Sequence, residues 1–196
     1  MTNDKMKSNQ RLIVAISGAS GAIYGIRALE MLKDAGIESH LVISKAAALS
    51  LEAETDLSLG DVHALADVVY KPADIGAAIA SGSFRTLGML IAPCSIKTLG
   101  EITTGVTSSL VSRAADVCLK ERRRLVLMVR ESPLHLGHLR SMAAVTEMGA
   151  IVAPPMPAFY TRPQSLDEMV RQSVARSLAL FDIYAPMTRW GEDISL

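Results

Sequence analysis

The stretch that decides the fold is Arg11-Leu-Ile-Val-Ala-Ile-Ser-Gly-Ala-Ser-Gly-Ala-Ile-Tyr-Gly25. It opens as a buried strand, passes through a turn of small residues, and continues as an apolar-periodic helix from near Gly21. A strand that feeds a helix in this way makes a cradle for an anion. Gly18 and Gly21 let the backbone turn sharply and approach a ligand closely. The helix start aims N–H groups and its positive dipole end at the same point, and Ser20 adds a hydroxyl at the mouth. The glycines fall at 18, 21 and 25, so the G-x-G-x-x-G dinucleotide fingerprint is absent. The turn points to a phosphate-bearing ligand without naming it. The plainer alternative is a βα turn whose small residues serve close packing.

Outward from this turn, strand-like apolar runs alternate with helix-period segments. Strands are expected at about 11–16, 38–43, 87–93, 124–129 and 150–153, and helices near 21–35, 45–53, 95–104, 107–121, 136–148 and 165–182. The strand runs are almost continuously apolar, which implies burial on both faces of a parallel sheet covered by helices. The alternation predicts an α/β fold: a doubly wound parallel sheet in a three-layer α/β/α arrangement, Rossmann-like or flavodoxin-like. Residues 1–10 are polar and read as a frayed tail with no secretion signal. The remainder, 11–196, reads as a single domain ending in an arm at about 183–196.

At 196 residues the chain has ample length for a full core. Its formal net charge is zero, so nothing favours nucleic acid or an acidic membrane surface. Apolar residues make up 49%, charged residues 20%, and the mean hydropathy is +0.29. No apolar run approaches the roughly 18 residues of a membrane span, so the excess points to surface buried between subunits. Cys94 and Cys118 form no C-x-x-C and suggest no disulfide framework, which fits a reducing cytoplasm.

Ligands of doubly wound sheets bind outside the carboxyl ends of the strands. Those ends carry Ser17-Gly-Ala-Ser20, Ser44-Lys45, Pro93-Cys-Ser-Ile-Lys-Thr98, Arg130-Glu-Ser-Pro133 and Pro154-Pro-Met-Pro-Ala-Phe-Tyr160. Ser95 reads as an N-cap, with the Thr98 hydroxyl one turn on, which makes a second anion site or plain capping. Arg130-Glu131 is either a surface ion pair or a phosphate clamp beside a proton acceptor. Arg113 and Lys120 share a helix flank about 10.5 Å apart, too far for one small phosphate unless long side chains converge or each serves a different subunit. Asp116 offers Arg113 an ordinary helical partner. Arg176 sits at the rim of an apolar helix face, where arginines usually snorkel. His135-x-x-His138 lacks a third ligand, and no metal is expected. Glu54 reads as helix surface near the rim. Cys94 reads as a small buried hydrophobe, with a place beside a redox cofactor as the alternative.

Taken together the motifs resemble the flavin prenyltransferases of the UbiX family, formerly known as aromatic-acid decarboxylases. The matching pieces are Ser17-Gly-Ala-Ser-Gly21, Leu41-Val-Ile-Ser-Lys-Ala46, Glu54-Thr-Asp56, Ala80-Ser-Gly-Ser83, Pro93-Cys-Ser95 with Lys97-Thr-Leu99, Arg113-Ala-Ala-Asp116, Leu119-Lys-Glu-Arg122, Arg130-Glu131, Pro157-Ala-Phe-Tyr160, Pro163-Gln-Ser165 and Arg189-Trp190. They run in order from about residue 11 to 191. The resemblance implies a flavodoxin-like fold that binds FMN. It also implies transfer of a dimethylallyl group from dimethylallyl monophosphate to N5 and C6 of reduced FMN. The product, prenylated FMN, would serve a UbiD-type decarboxylase of ubiquinone biosynthesis or aromatic-acid decarboxylation. A homo-oligomer, the dodecamer of the family, is expected.

Carried over by residue, the resemblance assigns Gly18, Ala19, Ser20, Ser44, Ser95, Thr98 and Arg130 to FMN. It assigns Lys120, Glu131, Tyr160, Arg176 and, across a subunit boundary, Arg113 to the allylic phosphate pocket, bordered by Ser81, Ser83 and Trp190. Glu54, Glu131, Lys120 and Ser20 stand as catalytic candidates, the two glutamates for acid–base work. Cationic donors stabilise the leaving phosphate and a carboxylate accepts the proton lost from the flavin ring. Some members carry a second tryptophan shortly before the Ala80-Ser-Gly-Ser83 turn. Here the stretch is Ile75-Gly-Ala-Ala-Ile79, so aromatic shielding falls to Trp190, Tyr160 or the flavin. A related flavoenzyme that decarboxylates a cysteine needs a Met-Asn motif that this chain lacks. A flavin-binding partner subunit without catalysis would have no use for Arg113, Lys120 and Arg176.

Overall fold

A computed structural model describes residues 10–194, so the polar stretch 1–10 lies outside the described residues except for Gln10. Six parallel strands form one sheet: β1 (Arg11–Ile16), β2 (Glu38–Ile43), β3 (Val68–Tyr70), β4 (Gly88–Cys94), β5 (Arg124–Val129) and β6 (Ile151–Val152), in the order β3-β2-β1-β4-β5-β6. The helices are α1 (Ala22–Asp34), α2 (Lys45–Glu54), α3 (Leu59–His63), α4 (Ile96–Thr104), α5 (Leu110–Lys120), α6 (Leu136–Glu147) and α7 (Leu166–Leu178). The architecture is the expected doubly wound, flavodoxin-like three-layer α/β/α sandwich.

The apolar strands are buried on both faces because each face carries its own helical layer. Leu12, Val14 and Ile16 pack with Ile26 and Leu29 of α1, Leu51 of α2 and Val174 of α7. Ile13 and Ala15 pack on the other side with Leu99 of α4, Ala114 of α5 and Val145 of α6. Helix α1 leaves β1 towards the first layer and α4 leaves β4 towards the second. The strand order therefore reverses between β1 and β4, and a crevice opens there at the carboxyl ends.

Sequence periodicity finds every strand and helix except β3 and α3. Helix α3 spans five residues, too short for an apolar stripe, although its Ser58/Asp61 capping box is legible in retrospect. Strand β3 has three residues on the sheet edge and one exposed side chain, so it carries little pattern. Asp67 holds it in place. The Asp67 carboxylate accepts from Ser39 N at 2.7 Å and Ser39 Oγ at 2.9 Å, and Ser39 Oγ receives Asp67 N at 3.1 Å. The helix expected at 165–182 ends at Leu178, and a 3-10 turn at Ala179–Phe181 follows. Its α7 portion is tied to α1 by Arg27 and Arg171, which both reach Asp167 and Glu30. The C-terminal arm returns along α7, where Gln172 binds both backbone groups of Thr188.

The Ser39 backbone hydrogen bond, helped by the Ser39 hydroxyl, holds the Asp67 carboxyl below its usual range. A depressed carboxyl stabilises the fold above its unfolded value of about 3.9 and loses that contribution as pH falls through the folded value. Urea unfolding at about pH 5 and about pH 3 should therefore show an acid loss of stability that is smaller in Asp67→Asn. At neutral pH the variant should be less stable by about 1 kcal/mol.

Candidate active site

The site begins with Ser17, the last residue of the opening run. Its buried hydroxyl donates to Pro93 O at 2.9 Å and accepts from Ser95 N at 2.7 Å. Ser17 N also donates to Pro93 O, at 3.2 Å. The β1–α1 and β4–α4 turns are thus stitched across the crevice. Ser44 N donates to Ile16 O at 3.0 Å and Arg130 N to Cys94 O at 3.1 Å, so the β2 and β5 ends join the same rim. Gly18, Ala19, Ser20, Ser44, Ser95, Thr98, Arg130 and Glu131 are gathered along this edge.

Each serine at a helix start has a structural task. Ser44 Oγ accepts from Ala47 N at 3.1 Å. Ser95 Oγ accepts from Thr98 N at 3.3 Å and donates to Thr98 Oγ1 at 3.1 Å. Capping fixes these hydroxyls on the N-terminal turns of α2 and α4, where the dipole ends face the crevice. Gly18 is a glycine because α2 comes so near: a Cβ there would collide with Ala46 Cβ. Gly21 has φ of 102°, which its position as N-cap of α1 requires.

One expectation changes. The N–H groups of α1 that the sequence leaves facing a ligand donate instead to Glu54: Gly21 N at 2.7 Å and Ala22 N at 3.2 Å, both to Oε2. The chain supplies its own carboxylate to the positive end of α1. Anion-binding capacity on the rim lies with α2, α4, Arg130 and the exposed loop Gly18–Ser20. Tyr24 lies behind this loop. Burial raises its hydroxyl above the usual range, and the nearby Arg130 charge only partly offsets that, so Tyr24 stays protonated at neutral pH.

The remaining candidates fall into two other places. Tyr160, Arg176 and Trp190 line a cavity of about 540 Å³ beside β6. The Tyr160 and Trp190 rings meet edge to face with centroids 5.4 Å apart. Ser81, Ser83 and Lys120 lie at the opposite end of the sheet, next to the first residues of β4 and β5. Ser81 and Ser83 share a hydroxyl–hydroxyl hydrogen bond of 2.9 Å, and Lys120 pairs with Glu121. Strands of this length, at about 3.3 Å per residue, separate the two ends by roughly 20 Å, farther than any side chain reaches. Arg113 pairs with Asp116 at 2.7 Å within α5, the ordinary helical arrangement.

His135 is the N-cap of α6, its Nδ1 accepting from Gly137 N at 3.0 Å, with the His138 ring tilted at 32° and its centroid 3.6 Å away. No group of His, Cys, Asp and Glu suited to a metal occurs among the described residues. Cys94 is fully buried, and burial pushes its thiol up to about 12. It is a packing residue, and so is Cys118, likewise raised to about 12.

The Flavoprotein family matches residues 1–176. The flavin prenyltransferase UbiX of Escherichia coli (strain K12) is 60% identical over 92% of this chain and 98% of its own. The chain belongs to the UbiX family of flavin prenyltransferases. A structure of AnUbiX (PadA1) in complex with FMN and dimethylallyl pyrophosphate superimposes with a TM-score of 0.89 at 47% identity, covering 93% of this chain and 99% of that one. A dodecameric FMN-dependent UbiX-like decarboxylase from Escherichia coli O157:H7 gives 0.90 at 49% identity, covering 92% and 99%.

In this UbiX-type chain, residue-type reasoning passed over Ser17 as a functional anchor. The only signal was a hydroxyl in place of another apolar residue at the end of β1. Replacing it leaves Ser95 N buried without a partner. Ser17→Ala should lower stability by about 1–3 kcal/mol in urea unfolding and weaken flavin retention in gel filtration.

Proposed function

We propose that the chain transfers a dimethylallyl group from dimethylallyl monophosphate to N5 and C6 of reduced FMN, and passes prenylated FMN to a UbiD-type decarboxylase. The observation that carries this reading is the convergence of the α2 and α4 N-termini and Arg130 on the crevice between β1 and β4, in a chain of this family. The rim suits a mononucleotide: it offers capped helix ends, a guanidinium and a loop exposed at Gly18 and Ser20.

In this proposal residues 11–196 form one FMN-binding unit with its C-terminal arm. Ser44, Ser95 and Thr98 fix the helix ends that receive the flavin's phosphate, and Gly18, Ala19 and Ser20 lie along the isoalloxazine. Reduced FMN supplies the nucleophilic N5 and C6. Arg130 reaches from the rim towards both flavin and allylic phosphate. The allylic C–O bond breaks with its electron pair leaving on phosphate, and cationic side chains hold that charge. The donor's double bond takes up a proton as its far carbon joins C6, and a carboxylate, Glu131 or Glu54, passes the protons displaced from N5 and C6 to that carbon chain and to the leaving phosphate. Glu131 stands free for this at the end of β5, its Oε1 receiving only Ser132 N at 3.0 Å. Tyr160 and Trp190 supply aromatic faces to a cation or its equivalent, and Arg176 adds a guanidinium in the same cavity.

Lys120, Ser81 and Ser83 complete the phosphate pocket only by belonging to another copy, because their own rim is roughly 20 Å away. Arg113 fits the same sharing. The proposal therefore requires a homo-oligomer, and a dodecamer agrees with the assembly described for the E. coli O157:H7 relative. Exposed apolar side chains such as Leu136, Phe159 and Leu166 supply surface for it. No helix among the described residues is long and apolar enough to cross a membrane, and the two unpaired cysteines suit a cytoplasmic location.

Anaerobic incubation with reduced FMN and dimethylallyl monophosphate should increase the flavin mass by one prenyl unit. An unchanged flavin mass with FMN still bound would replace the enzyme with a flavin-carrying subunit. Glu131→Gln should retain FMN and slow prenylation by about 10²–10⁴-fold, measured by single-turnover absorbance. Loss of FMN in that variant would remove the division between flavin and phosphate groups.

A further inference from the structure

At the amino end of the sheet the proposed chemistry uses Lys120 but gives no role to the carboxylate of Glu121 beside it. Arg123 clamps the loop before β4, donating to Phe84 O at 2.7 Å and Gly82 O at 2.5 Å. That clamp seats Gly82 directly on the Lys120–Glu121 pair. A Cβ on Gly82 would lie 2.7 Å from Lys120 Nζ and 2.7 Å from Glu121 Cδ. The absence of a side chain at 82 is what lets the ammonium and the carboxylate share that space. The Glu121 carboxylate therefore has room to lie beside the Lys120 ammonium, with which it pairs.

We infer that Glu121 is a counter-charge that limits how tightly the Lys120 pocket holds phosphate and discriminates against more highly charged allylic donors. This rests on the proposed phosphate role of Lys120. Hydrogen bonding and the Lys120 charge keep the Glu121 carboxyl below its usual range, so it is ionised at neutral pH. An arriving phosphate must share Lys120 with this carboxylate and meets its repulsion at a few ångströms. A diphosphate brings more negative charge and meets more repulsion. The proposed reaction makes a twofold demand: the pocket must accept a monophosphate and must release inorganic phosphate after transfer. A lysine surrounded only by arginines would favour the first and oppose the second. The Lys120–Glu121 pair is half-exposed and contributes little to stability, so its charge is available for this task.

The test is calorimetric titration of FMN-loaded assembled protein with inorganic phosphate and with pyrophosphate at low ionic strength. Glu121→Gln, which keeps an acceptor for Lys120, should bind phosphate about tenfold tighter and pyrophosphate tighter still, with FMN affinity unchanged. The gain should shrink at high salt. Glu121→Asp, which retains the charge, should remain near the parent. Phosphate binding by Glu121→Gln that is equal to or weaker than the parent would overturn the inference, as would an equal gain in a Lys120→Ala background. Prenylation by the unmodified protein is read separately by flavin mass. Its failure would remove the proposed function without touching the anion result.

Discussion

The crevice depends on one hydroxyl. Parallel strands leave their turn backbones without ladder partners, and β1 pairs with β4 only as far as Ala15 and Ile91. Beyond that point α1 and α4 depart to opposite faces, leaving a gap that α1 covers on its own side only, where Gly25 lies close against Ala92 O. Ser17 bridges it by giving its proton to Pro93 O and accepting Ser95 N. An alanine there would leave a buried amide unpaired, at a cost of about 1–3 kcal/mol. The separation of the two turns, and so the width open to a flavin, follows from that pair of bonds.

Glu54 settles how the rim divides its charge. A helix start in a doubly wound fold attracts an anion, and α1 satisfies that preference from within the chain. With the Glu54 carboxylate on Gly21 N and Ala22 N, the loop Gly18–Ser20 is fastened at its helix end from within the chain. The same bond anchors the carboxyl end of α2, whose other end presents Ser44 to the crevice. One carboxylate thus couples two of the elements that face the flavin. Any acid–base role for Glu54 must operate from within that coupling.

The sheet was legible because its strands are buried on both faces and spell near-continuous apolar runs. Strand β3 was not, because an edge strand of three residues is set by the Asp67–Ser39 clamp, a tertiary contact without periodicity. The rim residues were legible as types: serines and a threonine at helix starts and an Arg-Glu pair at a strand end. What the sequence could not convey is which partner each polar group takes. Glu54 reads as helix surface and caps a different helix. Ser17 reads as the last strand residue and joins two turns. Lys120 reads as the end of the helix at 107–121, and the parallel sheet sets that end on the side away from the rim.

That last placement bears most directly on function. In a parallel sheet every βα turn lies at one end and every αβ turn at the other, so residues from the two kinds of turn cannot meet within one copy. The flavin candidates come from βα turns, whereas Lys120, Ser81 and Ser83 come from the opposite end. A carrier of flavin alone needs only the first set. A transferase that must also hold an allylic phosphate gains by docking the amino end of one sheet onto the carboxyl rim of another. A chain with zero net charge and abundant exposed apolar side chains meets little electrostatic resistance to such packing. On the proposed reading assembly becomes a condition of chemistry: each copy would carry a flavin seat, and the phosphate seat would form only between copies.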